Sequence, residues 1–213
     1  MSRPVRRAAG VLAAVALVGT AAACSGEPAE APAAATRSGT PGADSAPLRR
    51  ALLTVTDLPL GFQAQDEAAD ATALGCTGVD AVYLSAGTSA RAAVSFGHSL
   101  SAAFVNETLS NRPGSGAAQA LAGFARAARD CASFTGPDGT RYEVSALKLP
   151  TYGDGSAAVR VSSALKEARP VELVAVRIGD TLLAIATAGA GAEEAQLTRT
   201  VVDRALAKLA GST

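Results

Sequence analysis

The stretch that most restricts the fold covers residues 171–187. Val171–Ile178 is almost wholly apolar, as expected of a central strand covered on both faces rather than one with a wet side. Gly179-Asp180 follows as a two-residue hairpin turn, with glycine supplying positive φ. Residues 181–187 then return antiparallel through Leu183 and Ile185.

The flanking chain supplies more sheet. Residues 141–149 alternate through Tyr142, Val144 and Ala146, and residues 156–165 through Val159, Val161, Ser163 and Leu165. Residues 91–96 put Ala92, Val94 and Phe96 on one face, and residues 101–109 form a second extended run. A turn at Gly97-His98-Ser99 joins them as a hairpin. Residues 62–65 read as a short strand, and Gly136-Pro137-Asp138-Gly139 as a turn.

Helical spacing marks three further segments. Pro47 opens a short helix to Leu53, proline being suited to a first helical turn. Ser115 caps a helix from Gly116 to about Ala132, whose buried stripe is Ala117, Ala120, Leu121, Phe124, Ala128 and Cys131. A last helix spans 192–210, with Leu197, Val201, Val202, Ala205, Leu206 and Leu209 inward. Glu193 and Glu194 open that helix, and Arg204 and Lys208 close it, matching its dipole. The expected fold is α+β: an antiparallel β-sheet with two longer helices and a short N-terminal helix packed on it. Aromatics make up 4% of the chain and Trp is absent. Ala, Val and Leu must therefore build the core, which lets elements approach closely.

The N-terminus has a different grammar. Arg3, Arg6 and Arg7 precede an apolar run over residues 8–19, about 12 residues and short of the ~20 that cross a bilayer. Ala21-Ala22-Ala23 supplies the small side chains of a cleavage site. Cys24 comes next, ahead of Ser25-Gly26. This resembles a bacterial lipobox, with Ala21 where Leu is usual, and an ordinary cleaved signal is the alternative. Residues 24–46 contain Pro28, Pro32 and Pro41 among Ala and small polar residues, a composition that cannot bury a core. The expected organisation is a lipoprotein signal over 1–23, a tether over 24–46 and a folded domain over 47–213. Lipid on Cys24 would hold the domain on the outer face of the cytoplasmic membrane.

The whole chain has 19 basic and 19 acidic residues. Without the three N-terminal arginines the remainder is net acidic, which excludes a nucleic-acid footprint and electrostatic docking on anionic lipid. With Cys24 set aside, Cys76 and Cys131 remain. In an oxidising compartment one disulfide between them is the simplest outcome. Two buried free thiols are the alternative, and two Cys with a single His make a poor structural zinc site.

Catalytic signals are weak. His98 is the one histidine, and Ser95, Ser99 and Ser101 are merely near it in sequence. Gly153-Asp154-Gly155 reads as a turn, and Asp66, Glu67 and Asp70 as a solvated loop. Residues 188–192 look like an anion-binding loop, but Glu193 and Glu194 would repel phosphate. Asn106-Glu107-Thr108 matches a glycosylation sequon, a triplet common by chance.

Several short motifs together carry a resemblance. The lipobox and tether precede Leu52-Leu53 and Asp57-Leu58-Pro59-Leu60-Gly61-Phe62. Cys76 follows, then a helix ending at Cys131, then Gly153-Asp154-Gly155 and Arg177-Ile178-Gly179-Asp180. Together these resemble the PknH-like extracellular sensor domain and its stand-alone actinobacterial lipoprotein relatives. The resemblance implies an extracytoplasmic ligand-sensing or binding module with a cleft. The expectation is a lipid-anchored binding module with no catalytic residues, no cofactor and no metal. Its partners would be the membrane, through the anchor, and an unknown small ligand or envelope protein. An envelope hydrolase and a carrier of an apolar lipid-like ligand are the alternatives.

Overall fold

The computed structural model describes residues 44–65, 73–84, 86–165, 168–189 and 194–212. Cys24, the signal, the tether up to residue 43, the acidic stretch 66–70 and Glu193 lie outside them. The described residues all fall in one unit, Gly39–Thr213, and none of their helices is long and apolar enough to cross a membrane.

Among these residues the order is α1 (Ala46–Ala51), β1 (Phe62–Ala64), α2 (Thr77–Tyr83), β2 (Ala90–His98), β3 (Phe104–Asn111), α3 (Gly116–Asp130), β4 (Ser133–Thr135), β5 (Arg141–Ala146), β6 (Gly155–Ser163), β7 (Val171–Ile178), β8 (Thr181–Ala188) and α4 (Glu194–Ala210). The strands form one sheet in the order β1-β2-β3-β8-β7-β6-β5-β4. All its pairings are antiparallel. The fold is α+β, and the β7–β8 hairpin lies at its centre with Ile178 opposite Thr181. Gly179 in its turn takes φ +57°.

Period-two alternation along the central strands generates two cores. On one face Val174 and Val176 of β7 and Leu183 and Ile185 of β8 pack with Ala51, Val201, Val202, Ala205 and Leu209. On the other, Leu173, Ala175, Leu182, Ala184 and Ala186 pack with Val79, Val82, Ala120, Phe124 and Ala127. Helices α1 and α4 cover the first face, and α2 and α3 the second. Small residues bring α2 against α3: a Cβ on Gly78 would lie 2.7 Å from the Gly123 carbonyl oxygen.

Several local expectations need correction. Gly97 and His98 are strand rather than turn, because edge strand β1 pairs with them through Gln63 and Phe62. The turn follows, closed by His98 N–H donating to Ala103 O at 2.9 Å. Ser115 precedes α3 without a side-chain cap; its hydroxyl instead accepts from the Gln119 amide at 2.8 Å. Ala127 rather than Ala128 is the fully buried position in the last turns of α3. Helix α2 and strand β4 are additions to the elements expected from the sequence. Lys208 does more than complement the α4 dipole: its ammonium donates to Asp57 Oδ2 at 2.7 Å, tying α4 to the turn after α1. Burial pushes the Asp57 carboxyl up, but the Lys208 and Thr54 hydrogen bonds prevail and hold it below its usual value.

Two glutamates are buried beneath α1 and α4. Glu172 is 0% exposed, with Arg160 on Oε1 and the Thr198 hydroxyl on Oε2; Thr198 meets Thr187 at 2.7 Å. Glu107 is 1% exposed and less well served. Its Oε2 accepts the Leu53 N–H at 2.6 Å, while Oε1 has no partner among the described residues. Burial pushes this carboxyl up to about 7, against the Leu53 N–H and the Lys208 cation and with help from Asp57. Glu107 thus pegs the exit of α1 to the middle of the sheet.

Cys76 and Cys131 form a disulfide with Cα atoms 5.8 Å apart. It joins the residue before α2 to the residue after α3. The bridge closes a separation of 55 residues, for which chain entropy implies about 4 kcal/mol. Reduction should therefore lower the melting temperature by about 10 °C; a reduced sample melting with the oxidised one contradicts this.

Glu107 predicts a pH dependence of defined sign. The unfolded carboxyl titrates near 4.5 and the native one near 7. Between them the native state holds a proton that the unfolded chain has released. This contribution is full below pH 4.5 and is lost as pH rises through 7, amounting to about 3 kcal/mol. Glu107→Gln keeps an acceptor for Leu53 and abolishes the slope. Denaturant titrations of both proteins across this window test it, and parallel curves would rule it out.

A candidate ligand-binding groove

Among the described residues, those singled out for chemistry do not converge. His98 sits on β2 with its ring edge-on to Phe62, centroids 5.2 Å apart, and its Nδ1 accepts the Leu100 N–H at 3.2 Å. Ser95, an odd number of strand positions away, projects to the opposite face. Ser101 accepts from Ala103 N–H at 3.2 Å. Asp154 accepts the Gly179 N–H at 2.7 Å, so Gly153-Asp154-Gly155 buttresses the central hairpin turn. The sequon lies inside the sheet, with Glu107 and Thr108 both buried. Gly189 O accepts from Arg169 at 3.1 Å, and residues 190–193 lie outside the described segments. Among the described residues no group of three His, Cys, Asp or Glu could hold a metal ion.

Three clefts stand out among the described residues. One of about 310 Å³ lies under residues 147–152 beside β6. Another of about 430 Å³ lies between α4 and the turns around Leu60 and Ser101. The third, about 320 Å³, is a groove on the α2 face of the sheet. Neither Glu107 nor Glu172 lines any of them.

The groove is the most selective of the three in chemistry. Its floor crosses five strands, from Phe104 and Asn106 on β3 through Ala186, Leu173 and Val161 to Tyr142 on β5. These side chains share one face because alternation in each strand places them there. Ala186 is the small residue mid-floor. The roof is α2 and its flanks: Leu74, Val79, Tyr83 and Leu84.

Polar groups along the roof are already committed. Asp80 accepts the N–H groups of Leu74 at 2.8 Å and Gly75 at 3.1 Å. Tyr83 donates to Ile185 O at 2.6 Å, and burial pushes its phenol well above the usual range, so it stays protonated. Tyr142 donates to Asp138 at 3.2 Å. Asn106, half-buried on the floor, keeps its carboxamide unengaged by the described chain. The roof is fixed at both ends. The disulfide holds its start. Arg112, 5% exposed, holds its end by donating to Leu84 O and Ala86 O at 3.0 Å each.

Sequence reasoning places Asn106 on a strand and passes over α2. Val79, Val82 and Tyr83 on one side of residues 77–83 are the available signal.

No protein-family model matches the chain, and no curated protein matches it. Among solved structures, the fold is similar to that of the crystal structure of the extracellular domain of PknH from Mycobacterium tuberculosis. The TM-score is 0.54 at 14% identity, over 73% of this chain and 92% of that one. At that identity the likeness is one of fold.

Proposed function

We propose that this protein is an extracytoplasmic binding module, held to the outer face of the membrane by lipid on Cys24, and that the groove under α2 takes a small neutral apolar ligand. The observation that carries the ligand reading is the Asn106 carboxamide, unengaged among the described residues, in a roofed groove whose other polar side chains are already bonded to the protein. Such a layout, greasy walls with one orienting polar group, is how small-molecule sites are generally built, and about 320 Å³ falls within their usual size range. Among the described residues no cation lines the groove and Asp80 is spent on backbone, so a neutral ligand fits better than an acid. The fold likeness to an extracellular domain and the disulfide support an extracytoplasmic address.

A catalytic role is less well supported. Among the described residues the groove holds no nucleophile beside a base, and Glu107 and Glu172 sit under the other helix layer. The apolar lining also favours the carrier reading, in which the occupant would be one end of a lipid-like chain.

Binding is testable with the neutral fluorophore N-phenyl-1-naphthylamine. The wild type should give saturable one-to-one enhancement. Ala186→Leu fills the floor and should weaken binding at least about tenfold while the melting curve stays cooperative. Asn106→Leu should cost roughly fivefold. Equal binding by all three proteins would exclude the groove. For the anchor, Cys24→Ala should abolish palmitate incorporation in cells where the wild type is labelled; an unlabelled wild type beside a labelled control lipoprotein excludes it.

A further inference from the structure

Two leucines stand wholly outside the fold. Leu60 is 98% exposed and Leu100 91%. Exposed leucines scattered singly are ordinary, but these two sit on turns that touch. Leu60 occupies the turn before β1, and Leu100 the turn between β2 and β3. Ser99 N–H donates to Gly61 O at 2.9 Å, joining the turns directly. His98 Nδ1 and Ser101 Oγ brace the second turn through Leu100 and Ala103 N–H. The backbones that carry the leucines are thereby held at one corner of the sheet. Residues 58–62 and 97–103 include no Asp, Glu, Lys or Arg. Behind the tip, the cleft of about 430 Å³ continues the apolar surface through Phe62, Ala103 and Leu197.

We propose that Leu60 and Leu100 form a lipid-contact tip, which dips into the bilayer interface and docks the domain on the membrane that anchors it. This rests on the lipid-anchor reading above. The chain outside the structure supports this occupant. By composition the roughly 20 residues between Cys24 and α1 read as a tether; an unfolded segment of that length would reach on the order of 25 Å, less than the width of a domain of this size, roughly 30–40 Å. A domain so tethered meets the bilayer at high effective concentration, so a shallow contact suffices. Charge points the same way. The tip has no formal charge to desolvate, and the surplus of acid on the mature chain leaves apolar insertion as the means of contact. Protein hot spots are built chiefly from Trp, Tyr and Arg, with leucine under-represented.

The chain lacks Trp, so Leu100→Trp gives a single apolar reporter at the tip, and Leu165→Trp a control at another exposed leucine. With Cys76 and Cys131 bridged, Cys24 is the one thiol left for coupling. Protein beginning at Cys24 is coupled there to maleimide phospholipid in phosphatidylcholine vesicles, which makes the assay independent of lipidation in cells. Brominated phosphatidylcholine should quench the indole of the Leu100→Trp protein and spare that of the Leu165→Trp protein. Adding Leu60→Ser to the tip reporter should cut its quenching roughly fivefold. High salt or added phosphatidylglycerol should leave it unchanged.

Absent quenching at the tip, or equal quenching at both reporters, overturns the proposal. So does quenching that needs anionic lipid and vanishes in salt. A concentration-dependent blue shift of the tip indole without vesicles would instead assign the tip to contact between copies of the chain. Failed palmitate labelling with intact quenching would remove the anchor and leave the tip's affinity for lipid standing.

Discussion

The double-sided burial of the β7–β8 hairpin is the constraint on which the rest of this structure depends. Val174, Val176, Leu183 and Ile185 demand cover on one face, and Leu173, Ala175, Leu182 and Ala184 on the other. One helix layer could not satisfy both, so α1 and α4 take one side and α2 and α3 the other. With few aromatics available, cover comes from close approach, as where Gly78 meets the Gly123 carbonyl. The cores are dense with short side chains, and one alanine in place of a leucine, at Ala186, leaves room for the groove.

The first core also shows two ways of keeping a carboxylate out of water. Glu172 is buried with a guanidinium and a hydroxyl supplied by β6 and α4, so charge and hydrogen-bonding capacity are matched locally. Glu107 has one backbone donor and an orphaned oxygen, and an acid in that position is driven toward its neutral form. Its single partner is the residue that leaves α1. The strength with which the first helix is seated is therefore coupled to protonation. A well-packed methionine would avoid this coupling but leave the Leu53 N–H without its acceptor.

What the sequence makes legible follows from how local each signal is. The central hairpin, β6 and α4 are readable because each carries its own periodicity and its own turn or ending. The disulfide is readable by counting, once Cys24 is assigned elsewhere. Helix α2 escapes a reading of the sequence because seven residues cannot nucleate alone; tertiary anchors fix it. Strand β4 is three residues, held by pairing to β5 and by Phe134 stacked on Tyr142 at 5.3 Å. Gly97-His98 resembles a turn until β1, which is distant in sequence, pairs with it. Asn106 is ambiguous for another reason. Strand β3 carries apolar residues on both faces, so alternation alone does not say which side the carboxamide joins, nor that five strands align beneath it.

The anchoring of α2 bears directly on how the groove can work. A seven-residue helix left to itself would be mostly unfolded, and a ligand binding beneath it would bear the entropy of ordering it. Here the covalent bridge at Cys76 fixes the start of the helix. Tyr83 on Ile185 O and Arg112 on Leu84 O and Ala86 O fix its end. None of these contacts uses the ligand. The roof is in place beforehand, so occupancy by the proposed ligand would depend on the apolar surface buried and on whether the occupant offers a partner to Asn106. On the proposed reading, selectivity would rest on that one carboxamide. An occupant lacking a polar group would leave it desolvated and unpaired, a larger penalty than the loss of a single favourable contact.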